Sequence, residues 1–180
     1  MKKYLFVLLI FFCLGFCVFA QETTQERPID NRFYFGAGLS NMLTTGDFGA
    51  SLDFGFLLYK NQAKRFNIRN AIMFDTGLLN HNGIENTILS LSDKIIMENH
   101  NQLFRYYSFF QGGIVFYEND NKDIFQAPIA YNLGVGFGID FFVQGNTSFF
   151  LDYTMLFNVF DNTWKDSFYT KFILGVRQFF

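Results

Sequence analysis

Two aspartates on either side of a short polar turn are the residues of this chain best placed to do chemistry. Asp140 and Asp152 flank residues 144–147, so a hairpin there would set their carboxylates opposite each other. Such a pair can serve as acid and base in a glycosidase. Arg105 and Arg177 fall at the same end of the predicted neighbouring segments, and buried carboxylates need cationic partners. We therefore favour a charge network, which also includes Arg69, over a catalytic pair.

The other candidate residues point away from catalysis and from bound groups. His81 and His100 lie in polar, turn-like segments and are interpreted as surface residues. The glycines at positions 134, 136 and 138 alternate within a strand pattern, which indicates packing and not a phosphate loop. Cys13 and Cys17 are the two cysteines, so the chain after them has no thiol, disulfide or thiolate metal site. We predict no catalytic residue, no cofactor and no metal.

The elements that position these charges are predicted to be eight β-strands. They cover residues 32–41, 48–59, 65–79, 86–97, 103–117, 128–143, 148–159 and 167–180. In the second, Phe48, Leu52 and Phe54 alternate with Ser51 and Asp53, and successive side chains of a strand point to opposite faces. Each strand thus has one apolar face and one small or polar face. The charges on the polar face are Asp53, Asp75, Asp140 and Asp152 with Arg69, Lys94, Arg105, Lys171 and Arg177.

Residues 86–97 allow two interpretations. As a strand, the segment puts Leu91 and Ile95 outward but also Asp93, unless a bulge at Ser92 and Asp93 turns the carboxylate away. As an amphipathic helix, it would align Ile88, Leu91 and Ile95 on one face. We favour the strand, because it makes the number of strands eight, and closed single-chain β-barrels that span a membrane have even strand numbers.

The composition decides which face of the strands meets water. The chain has 28 Phe and 9 Tyr against 2 Pro, more aromatic surface than a soluble core of this size can hide. The less apolar face is rich in Gly, Ser, Asn and Thr, whereas a soluble barrel of the lipocalin type would need a charged exterior. We therefore expect lipid outside and a lumen inside, with room only for side chains or one small ligand. The net charge of −2 and the lack of a basic cluster exclude nucleic acid as a partner.

The first 20 residues are predicted to be a signal peptide. Lys2 and Lys3 precede an apolar run, and small residues end at Ala20. Cleavage there leaves 160 of the 180 residues, starting with a polar lead-in at 21–31 and followed by the barrel at 32–180. Attachment of lipid at Cys17 is disfavoured, because Phe16 precedes it in place of a small residue.

The last strand carries a family resemblance. It alternates apolar and mixed residues and ends on Phe180, as do the closing strands of bacterial outer-membrane β-barrels. Along residues 21–180 the chain resembles the small eight-stranded proteins of the opacity and OmpW-like group. The resemblance implies an all-β, eight-stranded antiparallel up-and-down transmembrane β-barrel in the bacterial outer membrane. It also implies that Phe180 belongs to a signal read by the barrel-assembly machinery.

Two classes of function are compatible with this reading. One is a non-enzymatic, closed barrel with a structural, surface-interaction or adhesion role toward host or neighbouring surface molecules. The other is a narrow channel or lateral conduit for small or hydrophobic solutes, which is favoured if the inward residues Leu57, Met73, Phe109 and Phe142 line one cavity. Related barrels also include lipid-modifying enzymes with a His and a Ser at the lumen mouth, but neither histidine of this chain begins a His-x-Ser motif.

Overall fold

The chain forms one closed barrel of eight antiparallel strands. The computed structural model describes residues 31–42, 47–61, 63–81, 84–100, 104–117, 129–159 and 168–180. The strands are β1 (Phe33–Met42), β2 (Asp47–Asn61), β3 (Phe66–His81), β4 (Ile84–His100), β5 (Phe104–Tyr117), β6 (Ile129–Gln144), β7 (Thr147–Val159) and β8 (Phe168–Phe179). Each strand pairs with its neighbours in sequence, and β1 pairs with β8. The predicted fold class is confirmed, whereas the predicted signal peptide lies outside the described residues.

Alternation of side chains gives the barrel an apolar outside and a charged inside. Outward Phe54, Phe137 and Leu174 are 44%, 57% and 62% exposed, while inward Arg105 and Arg177 are fully buried. Closure pairs the backbone groups of every strand on both sides, so the sheet has no open edge. An exterior of this kind is stable in hydrocarbon and not in water. The alternative of a soluble barrel with the faces exchanged does not fit this arrangement.

Residues 86–97, for which the sequence allowed either a strand or a helix, lie within a strand. β4 pairs with β3 and β5 in continuous register around Asp93, which lies opposite Ile72 on one side and Gly112 on the other. The helical interpretation is therefore wrong, and the strand passes Asp93 without the bulge that would have turned its carboxylate away. The carboxylate points outward, and Asn70 of β3 donates a hydrogen bond to its Oδ1 at 2.5 Å.

The two ends of the barrel can be told apart by the connections between strands. At the terminal end, where β1 begins and β8 ends, β6 and β7 are joined by a two-residue turn at Gly145 and Asn146. Gly145 has φ +53, a left-handed conformation that glycine adopts at no steric cost. At the opposite, distal end, the connections 43–46, 82–83, 118–128 and 160–167 lie outside the described residues, and the tryptophan at position 164 lies there too. The described residues contain no helix long and apolar enough to cross a membrane.

Candidate functional site: a charge network inside the barrel

Among the residues that the structure describes, ten charged side chains point into the barrel and are at most 7% exposed. We call them the charge network: Asp53, Asp75, Glu98, Asp140 and Asp152 with Arg69, Lys94, Arg105, Lys171 and Arg177. The five carboxylates and five cations sum to zero formal charge. This balance is what burial requires, because an unpaired ion in a low-dielectric interior costs several kcal/mol.

Arg177 on β8 is the centre of the network. Its Nη2 lies 2.9 Å from Asp53 Oδ2 and 3.1 Å from Asp152 Oδ2. Its Nη1 lies 3.2 Å from Asp140 Oδ1 and also donates to the hydroxyl of Tyr107. One guanidinium thus joins β8 to β2, β5, β6 and β7, a task that suits its five N–H donors in a fixed plane.

A second chain of contacts runs across the terminal end. Arg105 pairs with Asp140 and, at 2.7 Å through Nη1, with Glu98 Oε2. Glu98 Oε1 accepts from Arg69 Nε at 2.9 Å and from Asn67 Nδ2 at 3.0 Å. The carboxylate of Glu98 therefore separates two arginines that would otherwise repel each other.

The lysines extend the network toward the distal end. Lys94 Nζ lies 3.2 Å from Asp152 Oδ2 and 4.5 Å from the centre of the Phe109 ring. Lys171 pairs with Asp75, which also accepts from Ser40 Oγ at 3.3 Å. The Lys171–Asp75 pair links β8 to β3 and the Lys94–Asp152 pair links β4 to β7, so both contacts cross the lumen.

Aromatic rings enclose the central guanidinium. The Cζ atom of Arg177 lies 3.8 Å from the centre of the Phe150 ring, 5.2 Å from that of Tyr34 and 5.3 Å from that of Tyr107. Cation–π contacts of this kind gain strength when they are desolvated. The rings therefore both attract the cation and keep water from its ion pairs.

Inward glycines make room for these large side chains. A Cβ at Gly36 would collide with the Asp53 carboxylate, and one at Gly138 would collide with the Tyr107 ring. A Cβ at Gly136 would likewise strike Phe109. The alternating glycines of β6 are thus packing positions within a strand and form no nucleotide-binding loop.

The structure places Asp140 and Asp152 on one inward face but not opposite each other. Asp140 pairs with Phe150, and Asp152 pairs with Gly138, because the turn pairs Gln144 with Thr147 and an irregularity between Phe142 and Gln144 shifts the register further. The expectation of two directly facing carboxylates is therefore wrong. The two aspartates instead meet through Arg177, which contacts both. Of the other predicted site residues, Arg105 contacts Asp140, and Arg69 is joined to Asp140 through Glu98 and Arg105.

Glu98 is the member of the network that sequence analysis missed. The predicted fourth strand ends at residue 97, but β4 continues to His100 and Glu98 is fully buried. The sequence did indicate an inward position, because Glu98 is four residues from inward Lys94 and a continuous strand would point both side chains to the same face. The predicted inward charges were four acids and five cations, and Glu98 makes the two numbers equal.

The two phenylalanines at the end of the chain face opposite sides. Phe179 is fully buried, and Arg105 Cζ lies 4.8 Å from the centre of its ring. Phe180 is 59% exposed. Its backbone N donates to Phe33 O at 2.9 Å, and its O accepts from Phe33 N at 3.3 Å. Phe180 therefore extends the pairing of β8 with β1.

The distal half of the lumen holds a layer of neutral polar side chains. Gln111 donates to Ser92 Oγ at 3.1 Å, and Asn132 donates to the Tyr169 hydroxyl at 3.2 Å. Gln111 Oε1, Asn132 Oδ1 and Thr154 Oγ1 are buried without a hydrogen-bond partner among the described residues. We call these five residues the polar layer. It differs from the charge network in leaving acceptors unused.

The apolar inward residues form two packed clusters. Met73 packs with Phe150 and Ile173, while Phe109 and Phe142 belong to a cluster around the arginines at the terminal end. A continuous cavity along the apolar inward residues was the condition that would favour a conduit, and the packing of Met73, Phe109 and Phe142 in these clusters does not support it.

The two histidines lie at opposite ends of the barrel. His81 ends β3 at the distal end and His100 ends β4 at the terminal end, so both lie in strands and not in turns. Their side chains lie outside the described part of the structure. In that part, no group of three or more His, Cys, Asp or Glu side chains is arranged to hold a metal.

No protein-family model matches the sequence, and no curated protein matches it. Solved structures do match the fold. Neisserial surface protein A superposes with a TM-score of 0.63 at 17% identity, covering 82% of this chain and 97% of that one. The outer-membrane enzyme PagL superposes with a TM-score of 0.58 at 10% identity, covering 82% of this chain and 99% of that one. Ail, the attachment invasion locus protein of Yersinia pestis, superposes with a TM-score of 0.53 at 11% identity, covering 83% of this chain and 99% of that one.

These three proteins share a fold with the chain and differ from one another in role. One is called an enzyme, one a surface protein and one an attachment and invasion protein. A fold shared across such roles does not decide function, which depends on the site. The chain thus has the fold of the small eight-stranded outer-membrane β-barrels.

Proposed function

We propose that this chain is a non-enzymatic outer-membrane barrel of the opacity/OmpW-like kind, with a closed lumen and a structural, surface-interaction or adhesion role. The observation that carries the proposal is the charge network. Arg177, Lys94 and Lys171 each form ion pairs across the lumen to strands that are not their neighbours. An ion that entered would have to separate these pairs in a space already filled by side chains.

The same contacts argue against acid–base catalysis. Each of the five inward carboxylates is bound to at least one lysine or arginine. A general acid or base needs a proton within reach of a substrate and a position that a substrate can enter. Carboxylates held by arginines inside a packed barrel meet neither condition.

Placement in the outer membrane is supported by the outward face and by the predicted export signal at residues 1–20. Exposed Phe, Leu and Ile side chains surround the barrel, and only hydrocarbon removes such a surface from water. The partners that this placement requires are outer-membrane lipid and the assembly machinery that inserts barrels. Host or neighbouring surface molecules are the partners of the proposed surface role.

Conductance of the refolded protein in a planar bilayer tests the proposal. The native chain is expected to give no stable current steps, because the network closes the lumen. A variant with both Arg105→Ser and Arg177→Ser is expected to give discrete steps, and Arg65→Ser, which changes an exposed arginine at the terminal end, is the control. A difference in SDS-gel migration between the unboiled and the boiled protein verifies that each variant has folded. Long-lived steps from the native chain would replace this proposal with the narrow-channel function.

The role of Phe180 in assembly can be tested separately. Phe180→Ala keeps the backbone bonds to Phe33 but removes the ring, whose burial is worth at most about 1.5–3 kcal/mol. We expect the amount in the outer membrane to fall several-fold in cells, while the purified protein still refolds in detergent. Phe168→Ala, at the other end of β8 and 40% exposed, is the matched control. Equal amounts of the two variants in the membrane would contradict a recognition role for Phe180.

A further inference from the structure

Asp93 is an acidic side chain in the middle of the outward apolar band. It lies near the centre of β4, opposite Ile72, and its outward neighbours along the strand are Leu91 and Ile95. These three side chains are 42%, 40% and 50% exposed. An acid at this depth is costly in a bilayer, and such residues usually contact another polar group.

The barrel itself supplies little to offset the charge of Asp93. Asn70 is its one hydrogen-bond donor among the described residues, and the same amide nitrogen also donates to Lys94 O at 3.0 Å. The inward acids, in contrast, are each bound to a cation. Asp93 therefore keeps acceptor capacity that faces away from the barrel.

Gly112 leaves a notch beside this carboxylate. It lies directly opposite Asp93 on β5, and a Cβ placed there would meet nothing closer than Leu133 Cδ2 at 3.6 Å. Inward glycines such as Gly136 differ, since a Cβ would collide with neighbouring rings. The packing of the barrel thus does not require a glycine at position 112. Small residues on a membrane-facing surface allow a second backbone to approach closely.

We propose that the outward face formed by Asn70, Asp93 and Gly112 is the contact surface for a second copy of this chain. A twofold axis along the barrel, passing between β3 and β4, would set Asn70 of each copy against Asp93 of the other. The Nδ2 group of asparagine carries two hydrogens, and within one chain they are bound to Asp93 Oδ1 and to Lys94 O. In the dimer each amide would exchange its bond to Lys94 O for a charge-assisted bond to the carboxylate of the partner. Four side chains would then share four hydrogen bonds in a ring.

The pairing of donor and acceptor on one surface is what favours a second copy over a different partner. A twofold contact requires a patch that is complementary to itself, and neighbouring Asn70 and Asp93 meet that requirement without any other molecule. Acyl chains of lipid offer no donor to the carboxylate. The surrounding Ile72 and Ile95 supply apolar contact on both sides of the proposed axis.

Single-cysteine cross-linking tests the contact. The protein is made with Cys13→Ser and Cys17→Ser, so that Ile95→Cys carries the sole thiol close to the proposed axis. Leu151→Cys on β7, which is on the other side of the barrel and 42% exposed, is the matched control. In lipid vesicles at low protein density, a short bifunctional maleimide is expected to give a dimer with Ile95→Cys and little with Leu151→Cys.

Further substitutions test whether the dimer depends on the contact surface formed by Asn70, Asp93 and Gly112. Asp93→Ala, Asn70→Ala and Gly112→Leu, each added to Ile95→Cys, are expected to lower the dimer yield several-fold while the gel shift on boiling persists. Equal yields from the two cysteine positions, or a yield indifferent to all three substitutions, would overturn the proposal. So would a cross-linked product in cell membranes whose mass is not twice that of the chain. The inference rests on the proposed membrane placement, whose own failure would be seen earlier as a water-soluble protein without a gel shift.

Discussion

The two halves of the lumen bury polar groups in different ways. At the terminal end, Arg177 alone contacts three carboxylates, and Glu98 lies between two arginines. In the distal half, Lys171 and Asp75 form one pair, and the polar layer consists of separate contacts between neutral side chains. Shared contacts make the terminal end a single unit, whereas the distal half is a set of separate contacts. The consequence of losing a side chain should therefore differ between them.

The physical origin of the difference is the number of partners for each charge. Hydrogen-bonded ions in a low-dielectric interior strengthen one another, and an ion that loses its partner there cannot be rescued by water. Asp75, at 7% exposed, is the least buried of the ten charges. A comparison of matched substitutions at the two ends measures how far this cooperation extends.

The largest effect is expected for Arg177→Ala. This change leaves Asp53, Asp140 and Asp152 without their common cation, and breaking a buried ion pair by removing one partner costs about 3–5 kcal/mol. The free energy of unfolding is measured by urea titration in lipid vesicles. Adding Asp152→Asn should restore part of the loss, since the two side chains are coupled. Strictly additive losses in this double-mutant cycle would show that the terminal end is not one unit.

A smaller loss is expected for Lys171→Met at the distal end. Its one ionic partner, Asp75, keeps the hydrogen bond from Ser40 and is the least buried of the ten charges, so the cost should lie at the lower end of the range for breaking a buried ion pair, about 3 kcal/mol. The same titration gives the value. A loss as large as that of Arg177→Ala would remove the distinction between the two ends.

Glycine substitutions compare the packing of the two ends. Gly36→Ala drives a methyl group into the Asp53 carboxylate beside Arg177, and overpacking of this kind costs about 1–3 kcal/mol. Gly77→Ala on β3 meets its nearest atom, Phe48 O, at 3.5 Å, so the change should stay within about 0.5 kcal/mol. Urea titrations of both variants measure the change in the free energy of unfolding. Heat-dependent gel migration verifies that each barrel is closed. Equal effects would mean that the surroundings of Gly36 are no more tightly packed than those of Gly77.

The smallest effect is expected for Thr154→Val. Thr154 Oγ1 is buried without a partner among the described residues, so an isosteric methyl group should leave the unfolding free energy unchanged or raise it by up to about 1 kcal/mol. Ser148→Ala is the control, because Ser148 donates to Asp140 Oδ1 at 3.1 Å and should lose about 1 kcal/mol. A clear loss for Thr154→Val would reveal a hydrogen bond in the polar layer.

Sequence periodicity predicted the strands and the facing of their side chains well, because a period of two is a local property. It placed Arg177 inside and Asp93 outside, as the structure has them. Register is not local, and the two-residue turn together with the irregularity between Phe142 and Gln144 displaces Asp152 from the position opposite Asp140. The end of β4 was also missed, since polar Glu98 resembles a turn residue until its burial is known. The pair of Lys171 with Asp75 could not be foreseen, because it depends on the width of the barrel.

The neutrality of the charge network has a consequence for how the barrel responds to voltage. A single elementary charge carried across a membrane potential gains or loses about 2.3 kcal/mol per 100 mV. The five carboxylates and five cations inside the barrel would transfer no net charge if they moved together along its axis, so the field does no electrical work on them as a body. A potential can act only by pulling opposite charges apart, against the ion pairs that hold them. The interior is thereby insulated from the potential, although it is the most densely charged part of the molecule that the structure describes.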